Sequence, residues 1–428
     1  MVNSGIPWIG DIPKGWDIHR FKYAGTLQKG KLPTETNLDG NGLPIIGASE
    51  MLGKPFRQFS TDVGLPECNE SDILILWDGA NAGIVASNLC GIVSSTAAKY
   101  SCIDSRCDSN YTYYLLKGVE SYFKDKVFGT TIPHMNSDYI DDVPLLLPSL
   151  SEQQKIASFL DRKCSEIDEM IALQEKIVEE LKAYKQSVIT EAVTKGLNPD
   201  VPKKDSGIEW VDSIPISWKI AKIKNVISLL TDYDANGSFA DIASNVKVNL
   251  GVPYAWMVRA TDLANQRYGL VDGNNYCDIS TFNYLKKSVV HSGDVLIAKR
   301  GEIGKVYLVP NVDCPMTLAP NTYLLKLRKR VIDNRYFHYF LTSEMGRMQL
   351  VLNNKSTAIG AIYKDDVKSI SILLPSLSEQ QDIASHLDVK CTEIDNLISI
   401  KLSKIDSLKE YKKSIIYEYV TGKKEVIE

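Results

Sequence analysis

One stretch of this chain occurs twice, and it constrains the fold more than any other feature. The first copy begins at Leu146 and reads LLPSLSEQQKIASFLDRKCSEID; the second begins at Leu373 and reads LLPSLSEQQDIASHLDVKCTEID. The offset is 227 residues, and the two copies run without a gap to Thr194 and Thr421. Over the first 23 pairs only four differ: Lys155/Asp382, Phe159/His386, Arg162/Val389 and Ser165/Thr392. A match that long and close is a true internal repeat, so the chain consists of two like halves.

Both copies carry a helical pattern. Apolar residues recur at Ile156, Leu160, Ile167, Ile171, Val178, Leu181, Val188 and Ala192, and at Ile383, Leu387, Ile394, Ile398, Ile405, Leu408, Ile415 and Tyr419. Steps of three, four and seven describe a coiled-coil seam. Lys163 or Cys164 takes the one weak turn. Pro148 and Pro375 stop helix upstream, and Ser151 and Ser378 are expected as N-caps. A helix of this length spans roughly 65 Å at 1.5 Å per residue. That is too long for one small core, so it requires a partner, and the other copy is the natural one. The alternative is a long helix packed only on its own domain.

The segments between the helices repeat more loosely. Ser4 to Ile18 reads SGIPWIGDIPKGWDI and returns as SGIEWVDSIPISWKI from Ser206 to Ile220. Fixed prolines and tryptophans (Trp8/Trp210, Trp16/Trp218) suggest a rigid extended segment pinned by aromatic burial. Short apolar runs then read as strands: Leu43–Glu50, Asp72–Trp77 and Gly91–Ser95 in the first half, Tyr254–Asp262 and Gly293–Gly301 in the second. Asp72–Trp77 and Gly293–Gly301 run into glycine turns, which are not phosphate loops because no GxxxxGK[ST] exists. Helices are expected at Asn110–Gly118 and Asn334–Leu341, followed by the polar turns Gly129–Asn136 and Lys355–Ile362. The plan is β-rich domain, long helix, β-rich domain, long helix. The scaffold repeats closely while the surfaces it carries diverge.

Charge separates the halves. Lys219 to Lys368 holds 20 basic and 13 acidic residues, a net +7, whereas Lys14 to Asp142 holds 12 and 16, a net −4. Basic domains often meet phosphate, but the acidic half shows that charge alone cannot assign a nucleic-acid partner. The eight cysteines form no CxxC pair, which argues against a zinc site and for reduced core residues in a cytoplasmic protein. No apolar run reaches membrane-spanning length, and MVNSGIPWIG does not resemble a signal peptide.

Taken together, the paired LPSLSEQQ openings, the W…IP…W segments and the GTTIPHM turn before the first long helix resemble the specificity subunit of Type I restriction–modification systems. The resemblance covers essentially the whole chain. It implies an α/β (α+β) fold with a pseudo-twofold internal repeat. Target recognition domains at 1–145 and 198–372 would each read one half of a split DNA site. Conserved helices at 146–197 and 373–428 would pair antiparallel as a coiled coil and set the unread spacer. They would also dock two methyltransferase subunits. Those partners bind S-adenosylmethionine and methylate adenine N6, and ATP-driven restriction subunits complete the nuclease. The specificity subunit itself would be non-catalytic, with no cofactor and no metal. The residues agree, since no Asn-Pro-Pro-Phe methylase tetrad, P-loop or nuclease carboxylate cluster is legible.

Reading base edges needs forked or amide donors, and holding phosphate needs Lys, Arg, Ser or Thr. On the turns and strand ends those types are Arg259, Lys299, Arg300, Lys355, Ser356 and Lys364 in the second half. The first half offers Trp77, Asn81, Thr130, Thr131 and His134. The alternative for each is a solvated loop residue, and His134 could equally cap a turn. Because Gly47 stands at the position of Arg259, and Trp77-Asp78 at that of Lys299-Arg300, the two domains are expected to read different sequences. Apolar residues off the seam, Met170, Ile177, Leu397 and Ile416, are expected subunit contacts. Two other readings stay open: a coiled-coil scaffold whose β domains bind proteins, and an enzyme with chemistry hidden in those domains.

Overall fold

The computed structural model describes residues 1–6, 9–124, 133–136, 140–208, 211–300, 304–352 and 362–426. The expected tryptophan anchors Trp8 and Trp210 lie outside them. The chain divides into two compact units, Met1–Lys176 with Lys401–Glu428, and Ile177–Ile400.

In the first unit the strands Gly25–Lys29, Ala97–Cys102, Ile73–Leu76 and Val85–Ala86 form an antiparallel sheet in that order. Ile73–Leu76 is apolar at every position and buried on both faces. Period-two alternation explains this. Ile73 and Ile75 enter the main core with Tyr100, Tyr111 and Leu160, while Leu74 and Leu76 enter a second core with Ile46 and Val93. That second core lies under a smaller sheet, in which Leu43–Ile46 runs parallel to Gly91–Val93.

The second unit repeats this plan. Ile227–Asp232, Thr322–Leu327, Val295–Ala298 and Val306–Leu308 form the main sheet. Ala255–Val258 runs parallel to Met316–Leu318 in the smaller one. Val295 and Ile297 face one core and Leu296 the other.

Two expected strands are shorter than the sequence suggests. Leu43–Glu50 turns after Ile46 into the helical turn Ala48–Met51, and Tyr254–Asp262 turns after Val258 into Ala260–Ala264. The cause is a carboxylate three residues on: Gly47 N donates to Glu50 and Arg259 N to Asp262.

The long helices span Leu150–Lys195 and Leu377–Val420. Their caps are not Ser151 and Ser378. Ser149 Oγ accepts from Glu152 N, and Ser376 Oγ accepts from Glu379 N, because each serine directly follows a proline that ends the preceding strand. Cys164 and Cys391 fill the weak turn of the seam, and both are buried.

Within each unit the helices pair antiparallel. In the first, Phe159 packs on Tyr419 and Asp168 pairs with Lys412 at 2.6 Å. In the second, Lys185 pairs with Asp395, also at 2.6 Å. These ion pairs are the same pair of repeat positions with donor and acceptor helices exchanged.

The identity of LPSLSEQQ in the two copies has a structural reason: its polar side chains serve equivalent partners in both units. Trp16 Nε1 donates to Glu152 and Trp218 Nε1 to Glu379. Gln153 donates to Pro148 O and accepts from Asp108 N, and Gln380 does the same with Pro375 and Asp333. Tyr111 and Tyr336 donate to Leu146 O and Leu373 O. Both phenols are fully enclosed, and burial holds them well above the ordinary tyrosine value, as protonated donors.

Candidate nucleic-acid interface

Three segments converge at one corner of each main sheet: the end of the outer strand, the turn after the central strand, and the last loop before the long helix. Sheet register makes the corners equivalent. Lys29 pairs with Ala98 and Leu76 with Ala97; Asp232 pairs with Tyr323 and Ala298 with Thr322. Lys29 therefore corresponds to Asp232, and Trp77-Asp78 to Lys299-Arg300. The last loop is fixed alike, with Met135 N donating to Trp77 O and Ile362 N to Lys299 O.

In the first unit the glycine turn uses the left-handed conformation at Gly79 and Gly83, where glycine alone is unstrained. Asp78 accepts from Lys29 at 3.2 Å and contacts His134 Nδ1 at 2.7 Å. Trp77 is 9% exposed and part of the main core, with Lys29 5.9 Å from its ring centre. A ring so placed is not presented to a ligand, which corrects the expectation for Trp77. Asn81 is exposed on the turn. Thr130 and Thr131 lie outside the described residues.

In the second unit Asp232 accepts from Lys364 at 2.8 Å and Lys299 at 3.2 Å, and Lys299 also reaches Asp234 at 2.8 Å. Both ammonium groups lie about the face of Tyr323, whose hydroxyl donates to Ile362 O. Burial pushes the Asp232 carboxyl upward. Hydrogen bonds and charge from Lys364 and Lys299 outweigh it, and the group ends below its ordinary value of 3.8. Burial likewise disfavours the Lys299 ammonium, but Asp234 and Asp232 raise it above 10.5.

Arg300 is exposed beside this corner. Arg259 is not a free fork: its Nε and Nη2 are engaged by Asp262, which is fully buried, and Nη2 also donates to Gly273 O. Lys355 and Ser356 lie outside the described residues. The structure thus brings Lys299 and Lys364 together, places His134 at the equivalent corner, and sets Arg259 apart in the smaller sheet's border. Sequence reasoning missed Lys29, Asp78, Asp232 and Asp234 as members of these corners. Their signal was alignment of the two halves by sheet register, which no local motif carries.

On the helices, Met170 and Leu397, which occupy the same repeat position, are 42% and 46% exposed, and Ile177 is half-buried. Ile416 corrects the expectation of a surface contact. It is 4% exposed and packs in the first unit's core beside Gly118, where the helices approach closely. Among the described residues no group of acidic, histidine and cysteine side chains could hold a metal, and no helix is long and apolar enough to cross a membrane.

Comparison with known proteins gives one consistent result. The model of the Type I restriction modification DNA specificity domain matches residues 13–183 and again 215–410. The Type I restriction enzyme MjaVIII specificity subunit of Methanocaldococcus jannaschii is 30% identical over 424 residues, covering 96% of this chain and 93% of the relative. The EcoBI specificity subunit of Escherichia coli is 24% identical, covering 88% and 79%. Among solved structures, one from work on complex assembly and conformational transition of the type I R-M system has a TM-score of 0.71 at 15% identity, covering 96% and 98%. The HsdS subunit from Thermoanaerobacter tengcongensis scores 0.50 at 16% identity, with the same coverage. At these identities the structures establish the shared fold.

Proposed function

Since the chain belongs to the family of Type I restriction–modification specificity subunits, we propose that it reads a bipartite DNA sequence, one half-site per recognition domain. The recognition domains are residues 1–145 and 198–372; the helices in 146–197 and 373–428 set the unread spacer and dock methyltransferase subunits. Two such subunits bind, one for each copy of the repeat, and restriction subunits join the complete complex. Methylation and cleavage belong to those partners, and this chain acts in the cytoplasm as their non-catalytic address reader.

The observation that carries this reading is the contrast within the repeat. Buried polar contacts of the helix openings are duplicated atom for atom, whereas the equivalent sheet corners hold different side chains. A duplicated scaffold with unlike corners suits a two-part target in which base contacts are local. Asn81 and Arg300 are the exposed turn residues proposed to reach base edges. Thr130, Thr131, Lys355 and Ser356 are proposed from their residue types alone.

Footprinting of the complex reconstituted with methyltransferase subunits tests this. Two protected half-sites separated by a sequence-indifferent gap are expected. A single contiguous site, or protection indifferent to sequence throughout, would overturn it.

A further inference from the structure

The two corners share a device that their sequences hide. Each holds one shielded carboxylate gripped by two more exposed nitrogen-bearing side chains from two other segments. In the second unit the acid is on the outer strand: Asp232 is 8% exposed, and Lys299 of the turn and Lys364, which opens the short helix Lys364–Ser369, close on it. In the first unit the acid is on the turn: Asp78 is 19% exposed, with Lys29 of the outer strand and His134 of the last loop about half exposed. The strand member is basic in the first unit and acidic in the second, the turn member the reverse, and the segment before the last strand supplies a nitrogen donor in both, His134 and Lys364. Register places Lys29 and Asp232 at the same sheet position, and the turn members Asp78 and Lys299 stand one residue apart on equivalent turns.

We propose that Asp78 and Asp232 are positioning residues, each aligning two nitrogen-bearing side chains from separate segments (Lys29 and His134, Lys299 and Lys364) into a fork that grips DNA phosphate. This rests on the DNA-reading function proposed above and adds residues and a role that reading does not contain. Each ammonium has three donors. In the second unit Lys299 spends two on Asp232 and Asp234, and Lys364 spends one on Asp232. Among the described residues donors therefore remain on both, and the strongly exposed Asp234 is a partner that an arriving phosphate oxygen can displace. A flexible lysine would otherwise lose rotamer freedom on meeting phosphate. The shielded acid and the Tyr323 face restrain it beforehand. Phosphate contacts fix register without specifying sequence, so the fork can be built from different segments in two domains that read different bases.

The proposal makes a prediction opposite in sign to simple charge counting. Asp232→Asn removes a negative charge, so Coulomb attraction alone predicts tighter DNA binding and a steeper salt dependence. A positioning role predicts weaker binding to specific and scrambled duplexes alike, with a salt slope flatter by about one to two units.

The experiment uses the full chain reconstituted with methyltransferase subunits and measures duplex affinity from low to high salt. Lys299→Gln and Lys364→Gln should each flatten the slope by about one unit and leave the methylated sequence unchanged. Asp232→Glu, which keeps the carboxylate, should retain most of the wild-type slope. Tighter binding by Asp232→Asn, or wild-type slopes in both lysine variants, would overturn the proposal. If Asp232→Asn fails to fold, Asp78→Asn in the first unit decides the positioning role by the same measurement, weaker binding supporting it and tighter binding overturning it. Failure of the underlying DNA-reading function is distinguishable: the wild-type complex would then bind specific and scrambled duplexes equally.

Discussion

Asp232 illustrates how one residue ties distant parts of this chain together. Its carboxylate joins the outer strand to the turn at Lys299 and the short helix at Lys364, across 67 and 132 residues of sequence. Its folded-state value lies below the ordinary 3.8, so its stabilising contribution is complete above that pH and is lost as pH falls through the depressed value. Lys299 works in the other direction, contributing below its ordinary 10.5 and losing that contribution as pH rises past its raised value. Asp232→Asn should therefore destabilise the protein by about 1–3 kcal/mol near neutral pH, since it leaves charged donors poorly partnered. The difference between variant and wild type should shrink as pH falls below about 4. Denaturant unfolding across pH 7 to 3 checks this, and a constant difference would show that the carboxylate's charge is not what stabilises. Lys299, Lys364 and His134 were candidates by residue type, but the carboxylates they meet were not legible in sequence. Asp78 and His134 are 56 residues apart, and no spacing rule links positions that only sheet pairing brings together.

At the scale of elements, the long helices were the most legible part because their information is local and periodic. Ile156, Leu160, Ile167 and their repeats are buried as the seam required. Helix starts were misplaced by two residues because two serines flank each first leucine, and only the observed hydrogen bond selects Ser149 over Ser151. The strands Leu43–Ile46 and Ala255–Val258 were overextended for a similar reason: a capping carboxylate competes with strand continuation, and propensity does not show which wins. Ile416 was misjudged because a position off the helix seam can still face a domain, as it does beside Gly118. Met170 and Leu397 remain exposed at equivalent positions, and we expect them to contact methyltransferase subunits. Met170→Glu with Leu397→Glu should abolish co-purification of those subunits while leaving thermal unfolding within about 0.5 kcal/mol of wild type, as exposed substitutions do. Intact assembly would count against the docking face.

For the molecule as a whole, the internal repeat foretold two β-rich regions of like topology; the structure adds that each lies in a compact unit with parts of both long helices. What the repeat could not foretell was which surface each β region uses, because that surface is where the halves differ. We propose that labour is divided accordingly: the duplicated helix openings carry each β-rich region alike, the corners hold phosphate, and the exposed turn residues that differ between the halves set what each region reads. The most direct measurement exchanges residues 20–140 for the corresponding region of another family member, reconstitutes the methyltransferase complex and maps every methylated sequence. One half-site is expected to change while the other half-site and the spacer length stay as they were; a change in both half-sites, or in neither, would contradict one half-site per recognition domain.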